Sequence, residues 1–463
     1  MGTVMTAKQG DPEDKQFKEL SEAVMSNPSD DRAHNTLGNW FYDRSEYDKA
    51  IPCYEKAKAI RPAESVYELN IGDAYRGLSN WDKAIEHYQK VAELDPKSDR
   101  ANNGLGIAYY FKRDYENAVK YYKRAIQIRP EAIYYVNLGD AFRQMDNLGE
   151  AIDYYQEAVL TDAEYAPGHN SLGIVYALRR EYKNAIEHFE KAIAIRPSEP
   201  VYCVNLADAY RVTGEHDKAI QYYGDALKSN PNDASTLNAL GLTYSQKGEY
   251  ERAIQTYLQA LSIEKNPIYL SNLGNAYRIS GNTEEAINCY KDALVLDPGD
   301  HLSYNSLGVV YSGLGKYNLA IQQYQKAASL STNPIYYVNS GDSFRALGKL
   351  DEAIQNFQMG LKAATEAGSD PTEYQRSLGL AFNDLGVSHY VTGDQEKALQ
   401  AYRKALEYVP DDDVMWHNVY LALKAQQHFD EAEVHLRKAL ELNPKDAAYL
   451  SELEELNTKK SAL

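Results

Sequence analysis

Three polar residue types recur in this chain at a spacing of 67 or 68. The asparagines Asn70, Asn137, Asn205, Asn272 and Asn339 each stand two residues before a glycine or alanine. An acid or amide follows that small residue directly: Asp73, Asp140, Asp208, Asn275 and Asp342. Three residues on comes an arginine: Arg76, Arg143, Arg211, Arg278 and Arg345. A primary amide carries both donor and acceptor, so a row of asparagines can bind the peptide bond of an extended chain or tie neighbouring helices together. Acid and arginine three apart on a helix form an ion pair worth a few tenths of a kcal/mol with or without a ligand. Both readings stay open for both sets. Duplication of a block would also leave the letters behind.

The usual signatures of catalysis are missing. The ten histidines are scattered, with no His-Glu-x-x-His. There is no Gly-x-Ser-x-Gly elbow and no phosphate-cradling loop after a strand. Cys53, Cys203 and Cys289 are too far apart for a metal knuckle or a disulfide framework, and they fit buried helical positions. The sequence therefore predicts no enzyme, no cofactor and no metal. A net charge of −18, from 67 acidic and 49 basic residues, argues against nucleic acid or an anionic membrane as partner. No apolar run approaches the roughly 20 residues of a membrane helix. The N-terminus lacks a secretory core, although it matches the short Gly2 myristoylation pattern with Thr6 in the hydroxyl slot. A reducing cytoplasm is the expected compartment.

The elements that position the polar set follow from a shorter period. Gly38, Gly72, Gly106, Gly139, Gly173, Gly241, Gly274, Gly308 and Gly341 recur at 33 or 34 residues, with Ala207 in the one gap. Twelve residues after each stands an alanine, from Ala50 to Ala353, and four further on there is usually an aromatic such as Tyr54, Tyr88, Tyr122, Tyr155 or Phe189. Two runs at helical spacing, a turn of the "GEHD" kind and a closing proline make one helix hairpin. Such a hairpin cannot bury both faces alone and must stack on its neighbours.

These landmarks resemble the tetratricopeptide repeat family, a helix–turn–helix unit of 34 residues, over about Arg32 to Lys445. The resemblance implies an all-α, right-handed superhelical solenoid of about twelve units. The last two are anchored on Gly386 with Ala398 and on Tyr420 with Ala432. The expected organisation is a disordered tail (1–16), a capping half-repeat (17–31), ten units (32–363) and an insertion (364–379). Two further units (380–446) and a capping helix with tail (447–463) complete it. The insertion lengthens the Gly341–Gly386 spacing to 45 residues, and a joint is expected near Ser369 to Gln375.

Units thus alternate. Even units carry asparagine two before the landmark together with the acid and arginine. Odd units carry it three before, at Asn35, Asn103, Asn170, Asn238, Asn305 and Asn383, with Ile107 and Tyr110 or Val309 and Ser312 in place of the charged pair. At 100° per residue the acid and arginine point to roughly the opposite side from the buried leucine, glycine and aromatic, with the asparagine at the edge of that arc. First helices line the concave surface in this family, so the resemblance places the polar set in the groove. There the even-unit asparagines resemble the ladder in the array of O-linked N-acetylglucosamine transferase, whose amides clamp an extended peptide. The recurrent Tyr67, Tyr134, Tyr202, Tyr269 and Tyr336 are expected in the core. The expected function is a non-catalytic scaffold that binds an extended protein segment in its groove. The alternative is an architectural subunit of a larger complex, held by its convex face or ends.

Overall fold

The computed structural model describes residues 12–461, and among them every regular element is an α-helix, 26 in all. A first helix, α1 (Pro12–Ser26), precedes twelve antiparallel pairs. They run from α2 (Asp31–Asp43) and α3 (Tyr47–Ile60) to α24 (Asp413–Ala425) and α25 (Phe429–Leu442), and α26 (Ala447–Ser461) closes the array. The helices sort into two compact halves, one ending at Pro231 and the other beginning at Asn232. Within each half the first helices of successive pairs touch one another, while the second helices make no comparable contact. Closer spacing on the first-helix side puts that side on the inside of the curve.

Ten of the twelve pairs are held by the same device, the exceptions being those anchored on Ala207 and Tyr420. The landmark glycine of the first helix is the seat for the aromatic ring sixteen residues later on the second helix. A Cβ built on Gly139 would stand 2.5 Å from Tyr155, and one on Gly106 would stand 2.5 Å from Tyr122. No side chain fits there without moving the ring. The alanines, Ala50, Ala84, Ala118, Ala151 and their successors, are fully buried. The five recurrent tyrosines of the even units are buried as well.

The turn inside each pair requires one left-handed residue. Gly214 (φ 81°) and Gly248 (φ 84°) meet this without strain, but Ser45, Ser79, Arg113, Asp146, Arg180 and Gln427 hold the same conformation with a side chain.

Two expected boundaries differ from the structure. The tail was expected to reach residue 16, yet α1 starts at Pro12, consistent with a proline followed by two acids as a helix-start signal. Gly2 and the rest of the expected tail lie outside the described residues. The insertion is mostly helix. α21 (Leu350–Glu366) has 17 residues against 14 in the other second helices, and α22 (Thr372–Val391) has 20 where first helices have 13 or 14. The connector shrinks to Ala367–Pro371, where Gly368 (φ 67°) ends α21 and Pro371 precedes the next helix.

Candidate functional site

The asparagines pair across units. Asn70 Nδ2 donates to Asn35 Oδ1 at 2.8 Å, Asn137 to Asn103 at 2.9 Å and Asn205 to Asn170 at 2.8 Å. Asn272 to Asn238 (3.0 Å) and Asn339 to Asn305 (2.9 Å) follow the same rule. Every pair joins an even first helix to the odd one before it, and all these side chains are half-buried. The one-residue offset between the rows therefore has a geometric meaning: it brings the two amides of adjacent helices into register. Each bond uses one hydrogen and one carbonyl. The second carboxamide oxygen, on the even residue, and the second NH2 group, on the odd residue, remain for another partner.

A sixth pair went unread in the sequence. Asn418 donates to Asn383 at 2.8 Å. It also stands two residues before its landmark, but that landmark is Tyr420 rather than a small residue, which hid the match.

The acids and arginines form a local network. The hydroxyl of the second-helix tyrosine reaches the residue after the landmark: Tyr88 to Asp73 (2.7 Å), Tyr155 to Asp140 (2.8 Å), Tyr223 to Asp208 (2.6 Å) and Tyr290 to Asn275 (2.8 Å). The arginine closes the set, with Arg143 Nη2 at 2.9 Å from Asp140 and Nε at 3.3 Å from the Tyr155 hydroxyl. Arg211 repeats this with Asp208 and Tyr223, and Arg76 Nη2 lies 3.3 Å from Asp73. Burial pushes the Tyr155 hydroxyl pKa up, and the neighbouring Asp140 charge pushes it further. The acid thus satisfies a phenol whose ring is fully buried. In the last even unit of the ten, Phe357 replaces the tyrosine. Arg345 turns instead to Asp384 of α22, and Asp342 is left exposed. Arg278, opposite Asn275, is exposed too.

Other contacts tie units at their edges. Tyr134 donates to Asp99 at 2.7 Å, and Arg129 Nη2 reaches the same carboxylate at 2.6 Å. Against the cost of burial, these two partners hold the Asp99 carboxyl below its usual range.

Two histidines that the sequence showed as scattered meet in the fifth unit, on α10 (Ala166–Leu178) and α11 (Tyr182–Ile195). His169 Nε2 lies 3.2 Å from the Ala163 carbonyl, so it carries the hydrogen. Its bare Nδ1 then accepts from His188 Nδ1 at 3.2 Å. Burial, then the His169 and Lys191 charges, lowers the His188 pKa to about 4.

Two pockets open at the asparagine rows of the first half. One, of about 320 Å3, is lined by Asn35, Asn39, Asn70 and Asp73, with Arg100 at its side. The other, of about 300 Å3, sets Asn205 and Asp208 against Ile174, Leu178, Phe189 and Val212. No group of three or more metal-ligating side chains is found among the described residues, and no described helix is long and apolar enough to cross a membrane.

Models of the tetratricopeptide repeat match residues 69–133, 130–198 with 201–266, 274–315, 302–334 with 416–446, and 379–412. Among curated relatives, the BBSome complex member BBS4 of Bos taurus is 24% identical over 204 residues, which cover 38% of this chain and 38% of that protein. A probable UDP-N-acetylglucosamine–peptide N-acetylglucosaminyltransferase SPINDLY of Oryza sativa subsp. japonica is 28% identical over 141 residues, 30% of this chain and 15% of that one. The Hsp70-Hsp90 organising protein of Plasmodium falciparum is 32% identical over 94 residues, 20% of this chain and 37% of that one. The chain spans less than two fifths of the length of these relatives. With the same repeat matched along most of the array, and a glycine-seated ring in the helix pairs beneath it, the chain belongs to the tetratricopeptide repeat family.

Proposed function

We propose that this protein is a non-catalytic interaction scaffold whose first-helix face holds an extended segment of a partner protein. The carrying observation is the half-used amide pair. Each asparagine pair keeps one donor and one acceptor, which is the complement of a peptide bond. Both pockets of the first half that include ladder asparagines lie on this face. In this reading Asn70, Asn137, Asn205, Asn272 and Asn339 are the clamps. Asp73, Asp140, Asp208, Asn275 and Asp342, with Arg76, Arg143, Arg211, Arg278 and Arg345, set the fixed charges beside them. Stacked helices sit roughly 8–10 Å apart, so pairs two units apart are spaced by about 20 Å. An extended strand rising about 3.3 Å per residue meets one pair roughly every six residues. A cytoplasmic setting, free of nucleic acid, belongs to the same proposal.

The test must separate binding from the tie between helices. Alanine at Asn137, Asn205 and Asn272 removes both. Asn35→Asp, Asn103→Asp and Asn170→Asp together keep the oxygen that the even asparagine needs and replace the ligand-facing NH2 with an acceptor. Each lost contact is worth about 0.5–1.5 kcal/mol, so binding of a natural partner peptide should weaken at least about tenfold while the melting temperature holds. Unchanged affinity in the triple variant would leave the amides as inter-unit ties alone.

A second reading, an architectural subunit, draws on BBS4 being named as a member of a complex. The pocket of about 350 Å3 at Leu261, Leu270, Val295 and Leu296 also lies between second helices and the start of a first helix, with Val295 77% exposed. Crosslinking mass spectrometry on protein from native extract decides between the two by the face that is linked.

A further inference from the structure

The pocket beside Asn205 differs in kind from the one beside Asn70. In the first, second, fourth and sixth units a tyrosine hydroxyl on the second helix meets a polar residue just after the landmark: Asn39, Asp73, Asp140 and Asp208. The fifth unit has lost both ends of that bond. Phe189 takes the ring seat on Gly173, and Ile174 takes the polar position. The third unit has lost only one, keeping Tyr122 opposite Ile107. Paired replacement leaves a largely apolar wall of Ile174, Ala177, Phe189 and Ala209 between α10, α11 and α12 (Pro200–Val212), with Tyr182 of α11 also in the lining. Leu178 and Val212 extend it to the surface, 57% and 51% exposed. The charged residue at the rim is already matched. Asp208 accepts from Arg211 at 3.0 Å and from Tyr223 at 2.6 Å. Asn205 stands at the same mouth with its carboxamide oxygen unspent.

We propose that this pocket reads side-chain identity in the bound segment: it takes one aliphatic side chain, of leucine, isoleucine or methionine size, while Asn205 and Asn170 hold the adjoining peptide bond. The proposal rests on the first-helix face being the peptide-binding face and adds what that face selects. An acidic residue entering the pocket would lose its water with no positive charge in the lining to meet it, and would stand beside the Asp208 carboxylate. A backbone clamp next to an apolar recess fits an extended peptide, in which alternate side chains point to one side.

The test uses a display library of random twelve-residue peptides panned on the full chain, with a labelled selected peptide measured by fluorescence anisotropy. The selected peptides should share an aliphatic residue at one position, and aspartate there should cost at least about tenfold in affinity. The informative variant is Ile174→Asp with Phe189→Tyr, which rebuilds the hydroxyl–acid bond of the fourth unit and so should fold. It should bind the selected peptide at least tenfold more weakly and select no aliphatic residue when panned afresh. A second variant, Leu178→Ser with Val212→Ser, changes only exposed side chains and should weaken binding in the same direction. Survival of the aliphatic preference in the rebuilt variant overturns the pocket. If that variant binds normally while the asparagine-to-aspartate triple does not, the face binds peptide without this selectivity. If neither variant affects the selected peptides, or none is selected, both readings fall.

Discussion

At the scale of single residues, the polar letters after each landmark have a packing cause. In the second, fourth, sixth and eighth units the hydroxyl of a fully buried tyrosine ring finds its acceptor in the residue beside the landmark, whereas in the seventh unit Ser245 stands beside Tyr257 instead. That predicts a cost for unmaking the bond from one side only. Tyr155→Phe leaves Asp140 with Arg143 and should destabilise by about 0.5–1.5 kcal/mol. Asp140→Ala leaves the hydroxyl hydrogen of a buried ring without its acceptor and Arg143 without its carboxylate, and should cost more, about 1–3 kcal/mol. Equal costs in urea unfolding would mean that the hydroxyl finds water instead. The sequence displayed these letters and their period plainly. It did not display their partner, because the tyrosine lies fifteen residues away on the other helix. The histidine contact was hidden for the same reason: His169 and His188 are nineteen apart, and only the hairpin brings them together.

At the scale of elements, helix number and pairing were legible because the glycine–ring seat repeats with little variation. Helix ends at the insertion were not. A spacing of 45 residues is equally compatible with a loop or with added turns, and the alanine-rich stretch before Gly368 settled it towards added turns. The intra-pair turns give a cleaner test. Gly214 has open space around a would-be Cβ, so Gly214→Ala measures backbone strain alone and should cost about 1–2 kcal/mol. The reverse change at Arg113 or Arg180, which hold φ near 60° with a full side chain, should stabilise by about 0.5–1 kcal/mol once the greater freedom of unfolded glycine is subtracted. Opposite signs in thermal melts are the expected result, and the same sign at both sites would show that contacts outweigh backbone conformation.

For the whole molecule, stability should respond to pH through the fifth unit. His188 has a folded pKa near 4, below the ordinary 6.5, so the unfolded chain binds the proton more readily. Its contribution is complete above about pH 6.5 and is lost as pH falls towards 4, on the order of 1–2 kcal/mol for a partly accessible group. His169→Asn with His188→Tyr copies the third unit, where Asn102 and Tyr121 occupy the same places. Melting should then fall less between pH 7 and pH 4.5 than in the parent chain, and an identical fall would acquit the histidines. The asparagine bonds carry a different consequence. They link first to second, third to fourth and fifth to sixth, always within a couple and never between couples in the bonds observed. Other side chains tie the couples to one another, Arg100 to Asp73 between the second and third units and Ser271 to Ser303 between the eighth and ninth. If the amides outweigh these ties under a pull from the ends, stronger and weaker joints alternate. Rupture should release two units at a time, and with 67 residues at roughly 3.5 Å each, the length freed per event is about 23 nm rather than half that.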